Sequence, residues 1–417
     1  MKTLKIISCA CFVLASWTCM ADNRTGINLY ESGMYRTAKV FFLKQWNNAA
    51  SPEEKAETCY YLGETYLKLN KPDSASFYYN KGLEALPTDP FNKIGTTKLT
   101  LKEFSSKGTL TKETKKTIDD SFSNAIKINK KDIRIILAVA EAYAYAGDYN
   151  KAAEYIKQAK KANAKSGLPY MLEGDIVLYK NPENRGEAGT KYDNAIYFSS
   201  DLIGAYTKSA RIYMPVNSAV ALEKLTAIQN IDPAFNGHYQ LLSELYEKQG
   251  DMKRAVEHYT KFIGDKNYDE DHALKYAGLL YFDKQYDKVL PVVASVLKKH
   301  PDKLVAKRLQ AYALSKTQSG KQSVDAIQRF MQTAPKDKLI PLDYLCYAEQ
   351  LEANKQYTEA AINYTKAIQL DDTKKDLLKE VGDMYEKSHQ PDSAILYYAR
   401  YLDFIGKPDP TISFNIG

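Results

Sequence analysis

Small residues recur along this chain at a nearly constant spacing, and this recurrence restricts the fold more than any other feature of the sequence. A first small residue is usually followed twelve positions later by a second one, and four positions further on by a large residue. The first small residues are Gly26, Gly63, Ala140, Gly174, Ala210, Ser243, Ala277, Ala311, Ala348 and Gly382. From Ala140 onward they lie 34, 36, 33, 34, 34, 37 and 34 residues apart. A period of this length indicates stacked supersecondary units rather than one compact domain.

The other two positions keep the same register. The second small residues are Ala38, Ala75, Ala152, Ala188, Ala221, Ala255, Ala326, Ala360 and Ala394, with Val289 as the exception. The large residues are Phe42, Tyr79, Ile156, Tyr192, Leu225, Tyr259, Val293, Phe330, Tyr364 and Tyr398. Small side chains let two helices approach closely, and the large one fills the space toward the next unit. Turns between the helices contain Asp73, Asp148, Asp251 or Asp392, and we expect each carboxylate to cap the second helix.

On these residues the sequence resembles the tetratricopeptide repeat family, whose unit is two antiparallel helices in 34 residues. The resemblance covers nearly the whole chain after residue 21. It implies an all-α fold, a right-handed superhelix (α-solenoid) of antiparallel helix pairs. We expect N-terminal repeats at 22–88, a degenerate lysine-rich repeat at 89–132, a continuous repeat array at 133–406 and a C-terminal tail at 407–417.

The degenerate repeat is the main departure from the pattern. Its segment 93–131, from Lys93 to Lys131, holds ten lysines against four acidic residues. One interpretation is a solvated, extended loop with a lysine-rich helix face, in which Phe122, Ala125 and Ile126 still indicate a second helix. The other is an electrostatic contact with an acidic partner, a glycan or a lipid head group.

The N-terminus has the pattern of an export signal. Lys2 and Lys5 precede an apolar run at 6–17, and Cys19-Met20-Ala21 offers a cleavage site before Asp22. We therefore expect a signal peptide at 1–21 and a bacterial protein exported to the periplasm or cell-envelope surface. It would be soluble there, without a transmembrane segment. A lipoprotein anchored at Cys19 is the alternative.

The residue types that carry catalysis or bind metals do not occur in usable patterns. The five histidines form no His-x-x-x-His pair, and after residue 21 only Cys59 and Cys346 remain, which we expect to be buried free thiols. The acidic run at 269–271 before His272 is interpreted as a solvated helix start. No phosphate-binding loop or nucleophile elbow is present. We expect no enzyme activity, no cofactor, no metal and no nucleic acid partner.

The resemblance also predicts where a partner would bind. In that family the residue after the first small position points into the concave face formed by the first helices of the units. The predicted binding residues on this face are Glu64, Glu141, Tyr145, Asp175, Tyr179, Arg211, Glu244, Phe282, Tyr312, Glu349 and Asp383. They suggest an acidic and aromatic groove for an extended protein segment with basic and apolar side chains. The alternative is that these carboxylates are ordinary solvated helix positions.

Two further expectations concern the groove and the tail. Members of the family that clamp an acidic chaperone tail use Lys and Asn at set positions. Here only Lys379 stands at the Lys position, so that function is not expected. In the tail, the alternation at 411–416 is typical of a strand. We expect the tail to cover the last apolar helix face, or to offer a strand to a partner.

Overall fold

The computed structural model describes residues 23–264, 269–407 and Ile412. The predicted signal peptide and most of the tail beyond residue 407 lie outside these residues. The chain divides into two compact units, with the boundary between Gly250 and Asp251. Unit 1 denotes the part up to Gly250 and unit 2 the part from Asp251.

Unit 1 consists of helices that pack as successive pairs. They are α1 (23–31), α2 (Tyr35–Asn48), α3 (Pro52–Lys68), α4 (Pro72–Ala85), α5 (Pro90–Lys107), α6 (Lys112–Ile128), α7 (Ile133–Ala146), α8 (Tyr149–Ala162), α9 (Leu168–Lys180), α10 (Arg185–Phe198), α11 (Ile203–Tyr213), α12 (Ser218–Ile231) and α13 (Gly237–Lys248). The odd-numbered helix of each pair is called helix A below and the even-numbered one helix B.

Unit 2 continues the same alternation. Its helices are α14 (Met252–Ile263), α15 (Glu270–Phe282), α16 (Tyr286–Lys299), α17 (Leu304–Thr317), α18 (Lys321–Thr333), α19 (Pro341–Ala353), α20 (Tyr357–Leu370), α21 (Leu378–Lys387) and α22 (Pro391–Ile405). Short 3₁₀ helices occupy Lys336–Lys338 and Asp372–Leu377. The predicted all-α, α-solenoid class is confirmed, and within the described ranges no strand is present and no helix is long and apolar enough to span a bilayer.

The small and large residues of the repeat form the core, as their register predicts. The first small positions lie on helix A, the second small and large positions lie on helix B, and all of them are buried. Gly63 shows why the first position must be small: a Cβ atom there would lie 2.2 Å from the Tyr79 ring of the same pair. A side chain at this position would push helices A and B apart.

Two of the four aspartates that the sequence predicts as helix caps do cap their helices. Asp148 and Asp251 accept the backbone N–H of Lys151 and Arg254, each at 3.0 Å, as predicted. Asp73 and Asp392 do not cap their helices. A proline precedes each of them and takes the first helical position, which moves the aspartate into the first turn.

The lysine-rich repeat is a regular helix pair, and the expected extended loop is absent from it. α5 and α6 contain 18 and 17 residues and are joined by only four, 108–111. The extra residues therefore lengthen the helices. Phe122 and Ala125 are buried on α6, which confirms the predicted second helix. Of the two helices of this repeat, α5 packs against α7 far more than α6 does, so the stacking of A helices continues through it.

The one described residue of the distal tail lies on the last helix. Ile412 is buried and contacts the apolar cluster of Ala394 and Tyr398 on α22. This contact agrees with a tail that covers the last helix pair. Ile412 itself has helical backbone geometry, and the rest of the predicted strand at 411–416 lies outside the described residues.

Candidate functional site

A row of ion pairs runs along the A helices and links the A helices of neighbouring repeats. The partners are 33 to 35 residues apart, one repeat period, except for one pair that spans the lysine-rich repeat. In unit 1 they are Lys98–Glu64 at 2.6 Å, Lys68–Glu141 at 2.9 Å, Lys208–Asp175 at 2.5 Å and Arg211–Glu244 at 3.6 Å. In unit 2 they are Arg308–Asp343 at 2.8 Å, Lys316–Glu349 at 2.6 Å and Lys387–Glu352 at 3.1 Å.

Tyrosines of helix B complete this network. Tyr79, Tyr192 and Tyr398, which occupy the large core position, donate their hydroxyls to Glu64, Asp175 and Asp383 at 2.8, 2.9 and 2.7 Å. The ring of each tyrosine therefore fills the core while its hydroxyl satisfies an acid on helix A. Because burial and the nearby carboxylate disfavour the phenolate, the pKa of each of these tyrosines is raised.

Glu64 is part of the core rather than of an open groove. Glu64 and Lys98 are each 1% exposed, and the Lys98 ammonium donates to both carboxylate oxygens, at 2.6 and 2.7 Å. The expectation that Glu64 contacts a partner is therefore not met in this structure. The physical reason is that the acid binds the lysine one repeat further along the chain.

In unit 1 the first helix pair contacts the last A helices of the unit. Leu29 and Met34, at the end of α1 and in the turn after it, belong to one apolar cluster with Ile203 of α11 and Leu241 of α13. The Arg211 guanidinium donates to the backbone carbonyl of Ser32 at 3.4 Å. The first helix pair thus contacts the sixth and the seventh A helix, and these contacts close the face formed by the A helices at this point.

A cavity of about 140 Å³, partly open to solvent, remains on this face. It is lined by residues of α1, α2, α3, α5, α7, α9 and α11, namely Tyr30, Glu31, Tyr35, Tyr60, Tyr61, Lys68, Phe91, Arg134, Leu137, Ala138, Glu141, Leu168, Met171, Leu172, Asp175 and Lys208. Ligand pockets for drug-sized molecules usually measure about 300–1,000 Å³. The cavity is therefore too small for an extended peptide.

Two of the predicted acids line this cavity. Burial alone would raise the pKa of Glu141, but the charges of Lys68 and Lys98 lower it to about 2. Glu141 is thus ionised and held by Lys68. Asp175 is held in the same way by Lys208 and by the Tyr192 hydroxyl.

The remaining predicted residues of unit 1 are not part of the cavity lining. Tyr179 is 44% exposed and accepts a short hydrogen bond from the Lys68 ammonium. Tyr145 is half-buried, with the Lys102 ammonium 5.4 Å from its ring centroid. Arg211 and Glu244 are half-buried and paired with each other.

In unit 2 several of the predicted residues on the A helices are accessible to solvent. Phe282, Glu349, Glu352 and Asp383 are called the helix-A row of unit 2 below. Phe282 on α15 is 56% exposed, and the Glu349 side chain on α19 is 48% exposed. Asp383 on α21 is half-buried and pairs with Lys379 at 3.1 Å. Tyr312 differs from the prediction: it is 1% exposed, because its hydroxyl donates to the buried Asp343 at 2.6 Å.

Sequence reasoning missed the basic partners of the acidic positions. Lys98 follows Glu64 by 34 residues and Lys208 follows Asp175 by 33, so each base stands one period beyond its acid. That spacing was legible in the sequence. It would have indicated ion pairs between repeats instead of a free acidic stripe.

Neither a metal site nor a reactive cysteine is found in the described parts of the chain. They contain no group of three or more His, Cys, Asp or Glu side chains that could hold a metal ion. Asp269 caps α15 by accepting the backbone N–H of His272 at 3.0 Å, which confirms the predicted helix start. Cys59 and Cys346 are free and buried, as predicted.

Comparisons with known proteins identify the repeat. Residues 56–89 and 239–274 each match a family model described as tetratricopeptide repeat. Among curated protein sequences, none matches the chain.

Solved structures with a similar arrangement include a tetratricopeptide repeat protein from Parabacteroides merdae, with 16% identity, 61% of this chain and 99% of that chain covered, and a TM-score of 0.41. Yeast Tom70 shares 13% identity over 93% of this chain and 92% of its own, with a TM-score of 0.35. PilF of Pseudomonas aeruginosa shares 14% identity over 52% of this chain and 98% of its own, with a TM-score of 0.38. From the repeat register, the helix pairs and the two family matches, we conclude that the chain is a tetratricopeptide repeat protein.

Proposed function

We propose that this protein is a non-catalytic scaffold that binds a protein partner through the accessible helix-A row of unit 2. The observation that supports this most directly is the exposure of Phe282, a large apolar side chain, at one of the predicted groove positions. Aromatic residues are frequent anchors of protein interfaces. Tetratricopeptide repeats are typically non-enzymatic, so the proposal assigns the chain no reaction and no cofactor.

The charges around this row suggest the chemistry of the partner. Glu349, Glu352 and Asp383 are only partly buried, and each pairs with a lysine whose own side chain is 24–48% exposed. Exposed pairs of this kind contribute little to stability, so a partner's basic group can replace the lysine at small cost. A segment with an apolar side chain for Phe282 and basic side chains for the acids would complement the row.

Charge and shape variants test the row directly. The Phe282→Ala and Glu349→Lys proteins should retain their fold, because both side chains are exposed, but should lose the partner captured by the unmodified protein from the native cell envelope. The matched controls are Ile362→Ala and Glu359→Lys, which change exposed residues on helix B of the same unit. The proposal fails if row and control variants capture the same proteins in equal amounts.

We also propose that the protein acts in the cell envelope after export. The sequence pattern of residues 1–21 supports this location. N-terminal sequencing of the protein purified from its natural source should give Asp22 as the first residue. A lipid-modified Cys19 would favour the anchored alternative, and a retained Met1 would contradict export.

A second candidate function is the capture of an anionic polymer or acidic partner by the lysine-rich repeat. Lys112, Lys115, Lys116 and Lys127 of α6 are exposed, while the opposite face of this helix is buried. Replacing Lys112, Lys115 and Lys116 together by Gln should abolish binding to an anionic polymer such as heparin. Binding unchanged by this substitution would exclude the candidate.

A further inference from the structure

The cavity of unit 1 is lined by three acidic and three basic side chains, but none of the bases forms an ion pair with Glu31. Each basic residue that lines it already has a carboxylate partner: Lys68 binds Glu141, Lys208 binds Asp175, and Arg134 binds Asp132 at 2.6 Å. Glu31 is left over.

Glu31 forms no hydrogen bond or ion pair with another residue of the described ranges, although it is half-buried on the cavity wall. It packs against Gly204 of α11, where a Cβ atom would lie 2.7 Å from the Cβ of Glu31. Burial raises the pKa of this carboxyl to about 7, with Lys208 acting in the opposite direction. An unpaired carboxylate in such a place is costly unless a proton or another cation joins it.

Aromatic rings line the same cavity. The ring centroids of Tyr30 and Tyr35 are 5.7 Å apart, those of Tyr30 and Tyr61 are 5.9 Å apart, and those of Tyr60 and Tyr61 are 5.2 Å apart. The face of an aromatic ring attracts a cation, and a cluster of such rings is a recurrent site for alkylammonium groups. Carboxylate and rings together therefore favour a positively charged ligand with an apolar stem.

The size of the cavity limits that ligand. A volume of about 140 Å³ is close to that of protein cavities which hold a benzene-sized molecule, about six non-hydrogen atoms. A primary ammonium on a chain of four or five carbon atoms has this size.

We propose that the cavity of unit 1 binds the ammonium end of a linear aliphatic amine, with Glu31 as its counter-ion and the tyrosine rings around its stem. The amine is either a free small molecule or the lysine side chain of a partner protein. This site is separate from the helix-A row of unit 2 and does not depend on the function proposed for that row.

Calorimetric titration of the full chain with n-pentylamine tests the site. The uncharged n-pentanol is the matched probe, and we expect it to bind at least tenfold more weakly. Equal binding of the two probes, or no binding of n-pentylamine, overturns the proposal. A third titration with Nα-acetyl-lysine methylamide separates the sources: affinity similar to that of n-pentylamine indicates a lysine side chain, and much weaker binding indicates a free amine.

Variants connect the binding to Glu31. Glu31→Gln should weaken n-pentylamine at least tenfold, whereas Glu223→Gln, which changes an exposed carboxylate of α12 outside the cavity, should leave it unchanged. If Glu31→Gln does not fold, titration of the unmodified protein at pH 6.5 in two buffers of different ionisation enthalpy replaces it. Proton release on binding is expected there, and binding without proton release contradicts the role of Glu31.

Discussion

The buried pair of Glu64 and Lys98 offers a quantitative test of what holds neighbouring repeats together. Lys98→Met keeps the length of the side chain and removes its charge. The Glu64 carboxylate then stays in the core with the Tyr79 hydroxyl at 2.8 Å but without its cation. Tetratricopeptide helices would still form, so the loss measures the link between repeats.

The magnitude follows from the geometry. Two unit charges 2.6 Å apart attract each other by about 6 kcal/mol at an effective dielectric constant of 20. Removing one member of a buried pair costs about 3–5 kcal/mol in practice, because the remaining charge is partly relieved by protonation and by its other hydrogen bonds. We expect Lys98→Met to lower the free energy of unfolding of unit 1 by this amount. The double variant Glu64→Gln/Lys98→Met leaves no charge of this pair in the core. Its free energy of unfolding should therefore fall less than that of Lys98→Met, by at least about 1.5 kcal/mol.

Fluorescence makes the measurement specific to unit 1. The sequence contains two tryptophans, and Trp17 lies in the predicted signal peptide. A protein that starts at Asp22 therefore has Trp46 as its single tryptophan, packed edge-on against Tyr78 at 5.5 Å between ring centroids. Urea unfolding followed at Trp46 reports on this unit.

An exposed pair of the same repeat provides the control. Lys107 and Glu103 lie 2.7 Å apart with both side chains more than 60% exposed, so Lys107→Met should change the stability by less than about 0.5 kcal/mol. The reasoning is refuted if Lys98→Met costs no more than this control, or if the double variant is as unstable as Lys98→Met alone.

Three further predictions concern packing, pH and thiol reactivity. Gly382→Ala places a methyl group 2.5 Å from a ring of α22 and should lower the free energy of unfolding by about 1–3 kcal/mol, whereas Gly278→Ala, with nothing within 4 Å, should raise it by about 0.5–1 kcal/mol; thermal unfolding monitored by circular dichroism distinguishes the two signs. Because burial raises the pKa of Glu31 to about 7, the folded state binds this proton more tightly than the unfolded state, and stability should fall as the pH rises from about 4.5 to 7. Glu31→Gln should remove this part of the pH dependence and be more stable than the unmodified protein at pH 8, on the order of 1–3 kcal/mol in urea unfolding. Burial raises the pKa of the Cys59 thiol to about 11 and of Cys346 to about 12, so both should react with a thiol reagent at pH 8 only after unfolding; rapid labelling of the folded protein would contradict their burial.

The sequence predicted the helix pairs well because their determinants are local. Gly63 and Tyr79 belong to one repeat, and their spacing alone indicates which faces of the two helices pack together. The lysine-rich repeat was less clear, since nine extra residues can enter a loop or lengthen helices, and nothing at those positions distinguishes the two.

The candidate site could not be predicted to the same extent. The acids were found, but their pairing with lysines of the next repeat was not, so Glu64 was expected in a groove and lies in the core. The closure of unit 1 had no sequence signal. It depends on small rotations accumulated over several repeats, which bring Met34 next to Gly237.

That closure affects the order in which the protein can fold. In a linear array each repeat packs as soon as the next one is made. Here Leu29 and Met34 can pack against Ile203 and Leu241 only after about 200 further residues have been synthesised. At about 5–20 residues per second the delay is on the order of 10–40 s. During this interval the first helix pair exposes the apolar surface that the far end of its own unit later covers.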